Sequence, residues 1–140
     1  MDNKRKRKKE KRAERKRKLR DKIAIRKLIE EMGGNKQFVI PTRRLWKRAE
    51  KQQCFPNVER YVEEHGGKLV TGWSISQGNG GVYIAIPHGI WLSPESEFVD
   101  ISFGFYGIGF VVDDNIKADA RSHPYIYWDE NRSKITRIVL

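Results

Sequence analysis

The distribution of charge is the feature of this sequence that most limits what the chain can fold into. Residues 1–30 contain sixteen lysines or arginines and five acidic residues, whereas residues 31–140 contain thirteen of each sign. The formal net charge of +11 therefore lies in the first thirty residues. Such a block cannot bury enough apolar area to offset its own ordering entropy. We therefore predict a basic N-terminal arm, residues 1–34, followed by one globular domain, residues 35–140.

The apolar residues of the arm are confined to its second half. Leu19 and Ile23 are followed by further apolar residues at three- and four-residue spacing, namely Ile25, Leu28, Ile29 and Met32. This spacing predicts an amphipathic helix, and the pair Gly33-Gly34 is expected to end it. The arm is thus predicted to be a helix whose C-terminal half docks on the domain. The N-terminal half should project from it, and in isolation it would be disordered or frayed.

The clustered cations of the arm are typical of a segment that binds a polyanion. They are contiguous rather than patterned toward base edges, so they predict sequence-tolerant binding to the phosphate backbone of RNA or DNA. This is the first functional hypothesis, and it fits a component of a ribonucleoprotein, a virion or another larger assembly. A membrane surface is a competing partner, but the first twenty residues offer only Leu19 beyond Met1 for insertion. A solvated tail that aids solubility is the other alternative. The cations assigned to nucleic acid are Lys4, Arg5, Lys6, Arg7, Lys8, Lys9, Lys11, Arg12, Arg15, Lys16, Arg17, Lys18 and Arg20.

The amino-acid composition limits which structural bonds, metal sites and cellular locations are expected. A single cysteine excludes an internal disulfide framework and a cysteine-rich zinc cluster, and no cofactor or metal is predicted. No run of about 18 apolar residues is present, so no membrane span is expected. The basic start also lacks the apolar stretch of a secretory signal. We therefore expect an intracellular location, cytoplasmic or nucleoid/nuclear, or a place in a virion or ribonucleoprotein particle.

The domain sequence predicts helices first and strands afterwards. A short apolar stretch, 37–40, precedes a second basic helix over 42–53, and a third helix runs from Cys54 to Gly66-Gly67 with Pro56 in its first turn. Strands are predicted at 68–76, 82–91, 98–102 and 105–112, with a final hairpin of 125–128 and 134–139. This order is typical of an α+β domain with an antiparallel sheet.

Three residues of the domain form a set that suits thiol chemistry. Cys54 opens a helix, where unpaired amides and the helix dipole favour the thiolate. His88 on the second strand would be its general base, and Asp100 on the third strand would orient the imidazole. The short segment between these strands, Ser93–Glu97, suits a hairpin turn that brings His88 and Asp100 side by side.

The same residues resemble the catalytic core of the transglutaminase-like branch of papain-like thiol enzymes. His88-Gly89-Ile90-Trp91 and Val99-Asp100-Ile101 are similar to that family's His-x-x-Trp and later Asp-containing strand. With Cys54-Phe55-Pro56-Asn57-Val58, Tyr61-Val62 through His65-Gly66-Gly67, and Gly72-Trp73, they also resemble a group of small uncharacterised bacterial and phage proteins. The resemblance covers about a third of the chain, from Cys54 to Ser102.

The resemblance implies a thiol hydrolase or acyltransferase that acts on an amide or ester, as in a protein or peptide substrate. Cys54 would be the nucleophile, and its backbone amide would help to form an oxyanion hole. The segment between nucleophile and base is shorter than in transglutaminase-like domains, which implies a shallow cleft. Gln52 and Gln53 lie beside the nucleophile, but not at the spacing of the papain-like oxyanion donor.

Each of these features also has a simpler interpretation. Cys54 also fits a small buried hydrophobe in an inert domain that kept the fold. A zinc site built from Cys54, His65, His88 and His123 lacks ligand spacing. Adjacent Asp113 and Asp114 are typical turn formers. The run 103–110 alternates aromatic residues with glycines, which would offer bases a stacking surface or simply form a closely packed strand.

Overall fold

The structure is a computed structural model that describes residues 2–51, 53–102, 107–118 and 123–139. Within these residues, two α-helices and an eight-stranded, mainly antiparallel sheet confirm the predicted α+β class. A 3₁₀ turn, Asn79–Gly81, joins the two longest strands. The elements in chain order are α1 (Asn3–Glu31), β1 (Phe38–Val39), β2 (Thr42–Arg43), α2 (Cys54–His65), β3 (Lys68–Gln77), β4 (Val82–Leu92), β5 (Phe98–Asp100), β6 (Gly109–Val112), β7 (Tyr125–Asp129) and β8 (Lys134–Ile138).

Helix α1 has an exposed half and a docked half. Every residue from Asp2 to Arg20 is exposed, whereas Ala24 and Leu28 are fully buried. They belong to the main apolar cluster, which also contains Met32, Phe55, Trp73, Ile75, Tyr83, Ala85, Val111, Ile116, Ile126 and Trp128. The helix ends where the glycine pair begins, and Gly33 has a φ of 112° that a larger residue rarely adopts. The predicted helix and the docking of its C-terminal half are confirmed.

Polar contacts fix the second half of α1 to the sheet. The hydroxyl of Tyr83 on β4 donates a hydrogen bond of 2.6 Å to Asp21. Arg137 on β8 donates to the carboxylate of Glu31 at 2.6 Å and to its carbonyl at 2.7 Å. The ammonium of Lys27 lies 5.8 Å from the centre of the Trp128 ring on β7. Together with apolar burial, these contacts set the rotation of the helix relative to the sheet.

The predicted second basic helix over 42–53 is wrong. Thr42 and Arg43 instead form β2, which pairs in parallel with Val99 and Asp100 of β5. The amide of Arg44 continues this pairing by donating to the carbonyl of Asp100 at 3.0 Å. Backbone donors that a helix would use internally are thus committed to a neighbouring strand. The rest of the segment is irregular where described, and Gln52 lies outside the described residues.

Strand β4 is the centre of the sheet. It pairs with β3 along its whole length, with β7 through Val82–Ala85 and with β5 through Trp91–Leu92. Beyond β3 lie β6 and then β1, while β8 pairs with β7. His88 lies on the part of β4 between its pairing with β7 and its pairing with β5, opposite Gly72 of β3.

The remaining strand predictions agree with the structure within a few residues. The final hairpin is confirmed, as are β3, β4 and β5. The fourth predicted strand, 105–112, begins later, at Gly109, and residues 105 and 106 lie outside the described part. Of the run of aromatic residues and glycines, 103–106 also lie outside it, while Phe110 is buried in β6.

Candidate active site

Cys54 is the first residue of α2, as the sequence predicted. Pro56 occupies the first turn, where its missing N–H removes no helical hydrogen bond. The helix closes at Gly66, which has a φ of 74° and donates to the Val62 carbonyl. The helix direction therefore places the thiol at the positive end of the α2 dipole.

The backbone amides beside the thiol precede the hydrogen-bonded part of the helix. The amide of Asn57 donates to the carbonyl of Gln53 at 2.9 Å. The amides of Cys54 and Phe55 come before this bond in the chain, among the helix-start donors that have no intrahelical partner. The side chain of Gln53, the N-cap residue, makes no capping hydrogen bond. These two amides are the donors that an oxyanion at this site would meet.

His88 and Asp100 are brought together by the pairing of β4 with β5. Trp91 lies opposite Val99, so the same register places Ile90 opposite Asp100. His88 is two residues from Ile90 and therefore lies diagonal to Asp100 on the same face of the sheet, within reach of a ring and a carboxylate. The predicted juxtaposition of these two strands is confirmed.

The imidazole of His88 and the carboxylate of Asp100 form a buried pair. The distance from Nε2 of His88 to Oδ2 of Asp100 is 3.0 Å, and the two residues are 3% and 9% exposed. The other carboxylate oxygen, Oδ1, accepts a hydrogen bond of 2.9 Å from the amide of Ser102. Both oxygens of Asp100 are thus used, which fixes the rotamer of the carboxylate and with it the plane of the imidazole.

The charges of this pair support each other. Burial alone would lower the pKa of His88, but hydrogen bonds with Asp100 and Cys54, together with their charges, raise it to about 9. Burial would raise the pKa of Asp100, yet the bond to His88 and the amide of Ser102 hold it below the usual value. At neutral pH the pair is therefore an imidazolium and a carboxylate.

Cys54 is the third member of the set. The thiol lies close enough to His88 to act on its pKa, both as a hydrogen-bond partner and through charge. Since Nε2 faces Asp100, the ring nitrogen left for the sulfur is Nδ1. Cys54 is half-buried and packs against the margin of the main apolar cluster. The structure thus brings all three predicted residues into one site.

Some supporting residues were not found by sequence reasoning. Gly72 lies opposite His88, and a Cβ there would fall 1.9 Å from the carbonyl oxygen of Val111, so only glycine allows β6 to approach. The Phe110 ring centre lies 6.2 Å from that of His88. The spacing Asp-x-Ser at Asp100 and Ser102 was the one available signal, because Asp commonly accepts from the amide two residues later.

A pocket of about 210 Å³ opens beside Asp100. Among the described residues Cys54 and His88 do not line it, so it flanks the carboxylate end of the site. Its walls combine apolar side chains with one cation and one hydroxyl, and they consist of Ile40, Pro41, Arg43, Ser74, Asp100, Gly107, Ile108, Gly109 and Phe110.

The other sequence candidates lie apart from this set. His65 is exposed at the far end of α2, and His123 accepts a hydrogen bond from the amide of Lys117. Asp113 is a buried structural carboxylate that accepts from the Trp73 indole at 2.9 Å and from Lys36 at 3.1 Å. Among the described residues, no group of three histidine, cysteine or acidic side chains is arranged to hold a metal. No helix in the described ranges is long and apolar enough to cross a membrane.

The cations assigned to nucleic acid all lie on the exposed half of α1. The ion pairs found there are weak surface contacts, Lys18 with Glu14 at 3.4 Å and Arg20 with Glu130 at 3.4 Å. Neither of these ion pairs involves Cys54, His88 or Asp100.

Comparison with protein families, curated proteins and solved structures finds no match to this chain. The function of the chain is therefore inferred from its own residues.

Proposed function

We propose that this protein is a small thiol hydrolase or acyltransferase that carries a cationic helix for binding nucleic acid. The catalytic half of the proposal depends on one observation. A buried imidazole interacts with the Asp100 carboxylate on one side and with the Cys54 thiol on the other. A thiol, an imidazole and an orienting carboxylate are the parts that nucleophilic acyl transfer requires.

Acylation of the thiol follows from the charge state of the pair. In the reactive form proposed here, the sulfur of Cys54 is a thiolate beside the imidazolium of His88. The thiolate attacks the carbonyl carbon of an amide or ester, and the carbonyl electron pair moves to the oxygen. The amides of Cys54 and Phe55 at the helix start are placed to donate to that oxyanion. When the intermediate collapses, the leaving amine or alcohol takes the proton of His88, and a thioester remains on Cys54.

Deacylation reverses the proton transfer. The neutral imidazole of His88 takes a proton from water, or from an acceptor amine or alcohol, as that group attacks the thioester carbonyl. Release of the product returns the sulfur as a thiolate beside the imidazolium. Asp100 keeps the ring in one orientation through both steps and stabilises its positive charge. His88 thus acts as a proton donor in acylation and as the general base in deacylation.

The arrangement also supports a papain-like core as the finer description of the fold. In this proposal the nucleophile opens a helix, and the histidine and aspartate follow on adjacent antiparallel strands, as in the transglutaminase-like branch. The sequence motifs around Cys54, His88 and Asp100 lie on α2, β4 and β5, respectively.

Thiol reactivity tests the catalytic proposal. The intact protein should react with a small electrophile such as iodoacetamide faster than glutathione does at pH 7. This excess should disappear in His88→Ala and decrease in Asp100→Asn. His65→Ala is the matched control, because His65 is an exposed histidine on the same helix as the thiol. Equal rates for the wild type and both site variants, each shown to be folded by circular dichroism, would exclude a catalytic thiol.

A second observation favours nucleic-acid binding by the helix. All residues from Asp2 to Arg20 are exposed, so the cations between them are available to phosphates. A protein that neutralises about six to ten phosphates loses roughly 10³–10⁵ in affinity between 50 and 200 mM salt. Replacing the lysines and arginines of residues 4–18 by glutamine should abolish both the affinity and its salt dependence. Because glutamine has a helix propensity similar to that of lysine and arginine, this variant tests the effect of charge alone. Undiminished binding by the variant would remove this half of the proposal.

A further inference from the structure

The acidic residues of α1 from Glu10 to Asp21 are confined to one side of the helix. Viewed along the axis at about 100° per residue, Glu10, Glu14 and Asp21 fall within a sector of about 40°. We call this sector the acidic stripe. The thirteen cations from Lys4 to Arg20 are spread over the remaining circumference, about 280°, and leave a cation-free gap of about 80° around the stripe. Charge on this helix is therefore neither one-sided nor uniform.

The acidic stripe continues the side of α1 that faces the sheet. Asp21 is one of its members and accepts the hydrogen bond from Tyr83. Leu28 is seven residues further along, about two turns, and is fully buried against the sheet. The docked half of the helix thus fixes the direction in which Glu10 and Glu14 point. They lie on the side of the helix that faces the domain, and the cations point outward and to both flanks.

A cationic sector of this width selects among nucleic-acid shapes. A helix lying on one phosphate row would use cations over only about a third of its circumference. A single strand wound around the helix would leave no side for acidic residues. A helix seated in a groove meets a floor and two phosphate walls, and only the sector facing out of the groove is free of phosphate. The cations of α1, spread over about 280°, therefore match the floor and the two phosphate walls of a groove. The acidic stripe matches the sector that faces out of the groove.

We propose that the exposed half of α1 inserts as a helix into the major groove of double-stranded DNA, with the acidic stripe facing out of the groove toward the domain. An α-helix with side chains is about 10–12 Å in diameter, and the major groove of B-form DNA is about 12 Å wide. The major groove of A-form RNA is too deep and narrow for such an element. This inference rests on the proposed nucleic-acid function and narrows the partner to duplex DNA.

A charge-conserving rearrangement tests the placement of the stripe. The quadruple variant Lys9→Glu, Glu10→Lys, Glu14→Lys, Lys16→Glu has the composition and net charge of the wild type. Its two moved acids lie on the opposite side of the helix, facing the groove floor. The variant should bind a 16-base-pair DNA duplex on the order of tenfold to a hundredfold more weakly at 100 mM salt. The slope of log K against log salt should fall by about two.

A matched control keeps the acids in place. In Glu10→Arg, Arg17→Glu the charges exchange within or beside the acidic stripe, so duplex affinity should stay within about twofold of wild type. The wild-type protein should also bind duplex DNA more tightly than single-stranded DNA or duplex RNA of equal length. If the quadruple variant and the wild type bind duplex DNA equally well, α1 does not insert into the major groove as proposed. The same conclusion follows if the wild type shows no preference for duplex DNA. Either result leaves the proposed nucleic-acid binding intact. If the wild type binds none of the three, the proposed nucleic-acid function itself fails.

Discussion

The exposed half of α1 and the buried pair of His88 and Asp100 use charge in opposite ways. On the helix, thirteen cations from Lys4 to Arg20 are exposed to water, and the ion pairs of Lys18 with Glu14 and of Arg20 with Glu130 are surface contacts. In the site, one imidazole and one carboxylate share a hydrogen bond of 3.0 Å in a nearly dry environment. Removing one charge is almost free in the first region and costly in the second.

This difference separates what each region can do. Charges in water attract a partner over the Debye length, so their effect depends on the number of cations and on the side of the helix that they occupy. Charges in a buried pair alter the pKa of their partner and hold its geometry, so position is decisive. Different substitutions should therefore affect the exposed half of α1 and the buried pair.

The largest expected effect is on stability when the buried pair loses one member. Asp100→Ala leaves a buried imidazole without its carboxylate and should lower the free energy of unfolding by about 3–5 kcal/mol. The matched control is Glu97→Ala on the same hairpin, whose 3.9 Å pair with Arg44 is exposed. The control should change the free energy by less than about 0.5 kcal/mol. Urea unfolding measures the free energy of unfolding of both variants. Equal losses of stability would contradict the expected difference between the buried pair and the exposed pair.

A second comparison lies within α1 itself. Leu28→Ala removes a fully buried side chain from the main cluster and should cost about 2–5 kcal/mol of unfolding free energy. Leu19→Ala removes the same atoms from a residue that is 58% exposed and should cost less than about 0.5 kcal/mol. Both are followed by urea unfolding monitored by circular dichroism. A similar cost at the two positions would mean that the exposed half also packs on something.

The pH dependence of stability tests the charge state of the pair. The pKa of His88 rises to about 9 in the folded protein, above its usual value of 6.5. Its contribution to stability is thus complete below pH 6.5 and is lost as pH rises through 9, a loss of at most about 3 kcal/mol. The pKa of Asp100 is lowered, so its contribution is present above pH 3.8 and is lost as pH falls below it.

The measurement is the free energy of unfolding of the wild type and of His88→Gln between pH 6 and pH 9.5. The wild type should lose stability over this range, and the variant should show a much flatter profile. A parallel decline in both proteins would assign the effect to groups other than His88.

Sequence patterns predicted the parts of the fold that are determined locally. The apolar spacing from Leu19 to Met32 and the glycine pair gave α1 its docked half and its end, and Pro56 placed Cys54 at a helix start. Alternating segments predicted the strands, and the short Ser93–Glu97 turn predicted that His88 and Asp100 would meet.

The sequence predictions were wrong or incomplete where contacts with residues distant in the chain determine the local structure. Residues 42–53 have helical spacing, but Thr42 and Arg43 are paired with β5, more than fifty residues away. No local pattern reveals that competition. The role of Gly72 and the raised pKa of His88 also depend on backbone and carboxylate groups supplied by other strands.

The smallest of the predicted effects concerns the link between the two regions. The hydroxyl of Tyr83 is buried and donates to Asp21, and burial together with this bond raises the pKa of Tyr83. Tyr83→Phe should lower the free energy of unfolding by about 1.5 kcal/mol, at the lower end for a hydrogen bond to a charged group, because Asp21 remains partly hydrated. Tyr127→Phe, at a half-buried tyrosine on β7, is the control and should change it by less than about 0.5 kcal/mol. Hydrogen exchange should also speed up in the α1 amides of residues 21–31 but not in α2. If exchange in α1 is unaffected, the bond from Tyr83 to Asp21 does not hold the helix, and the rotation of the acidic stripe is set by the other contacts of α1, such as the burial of Ala24 and Leu28.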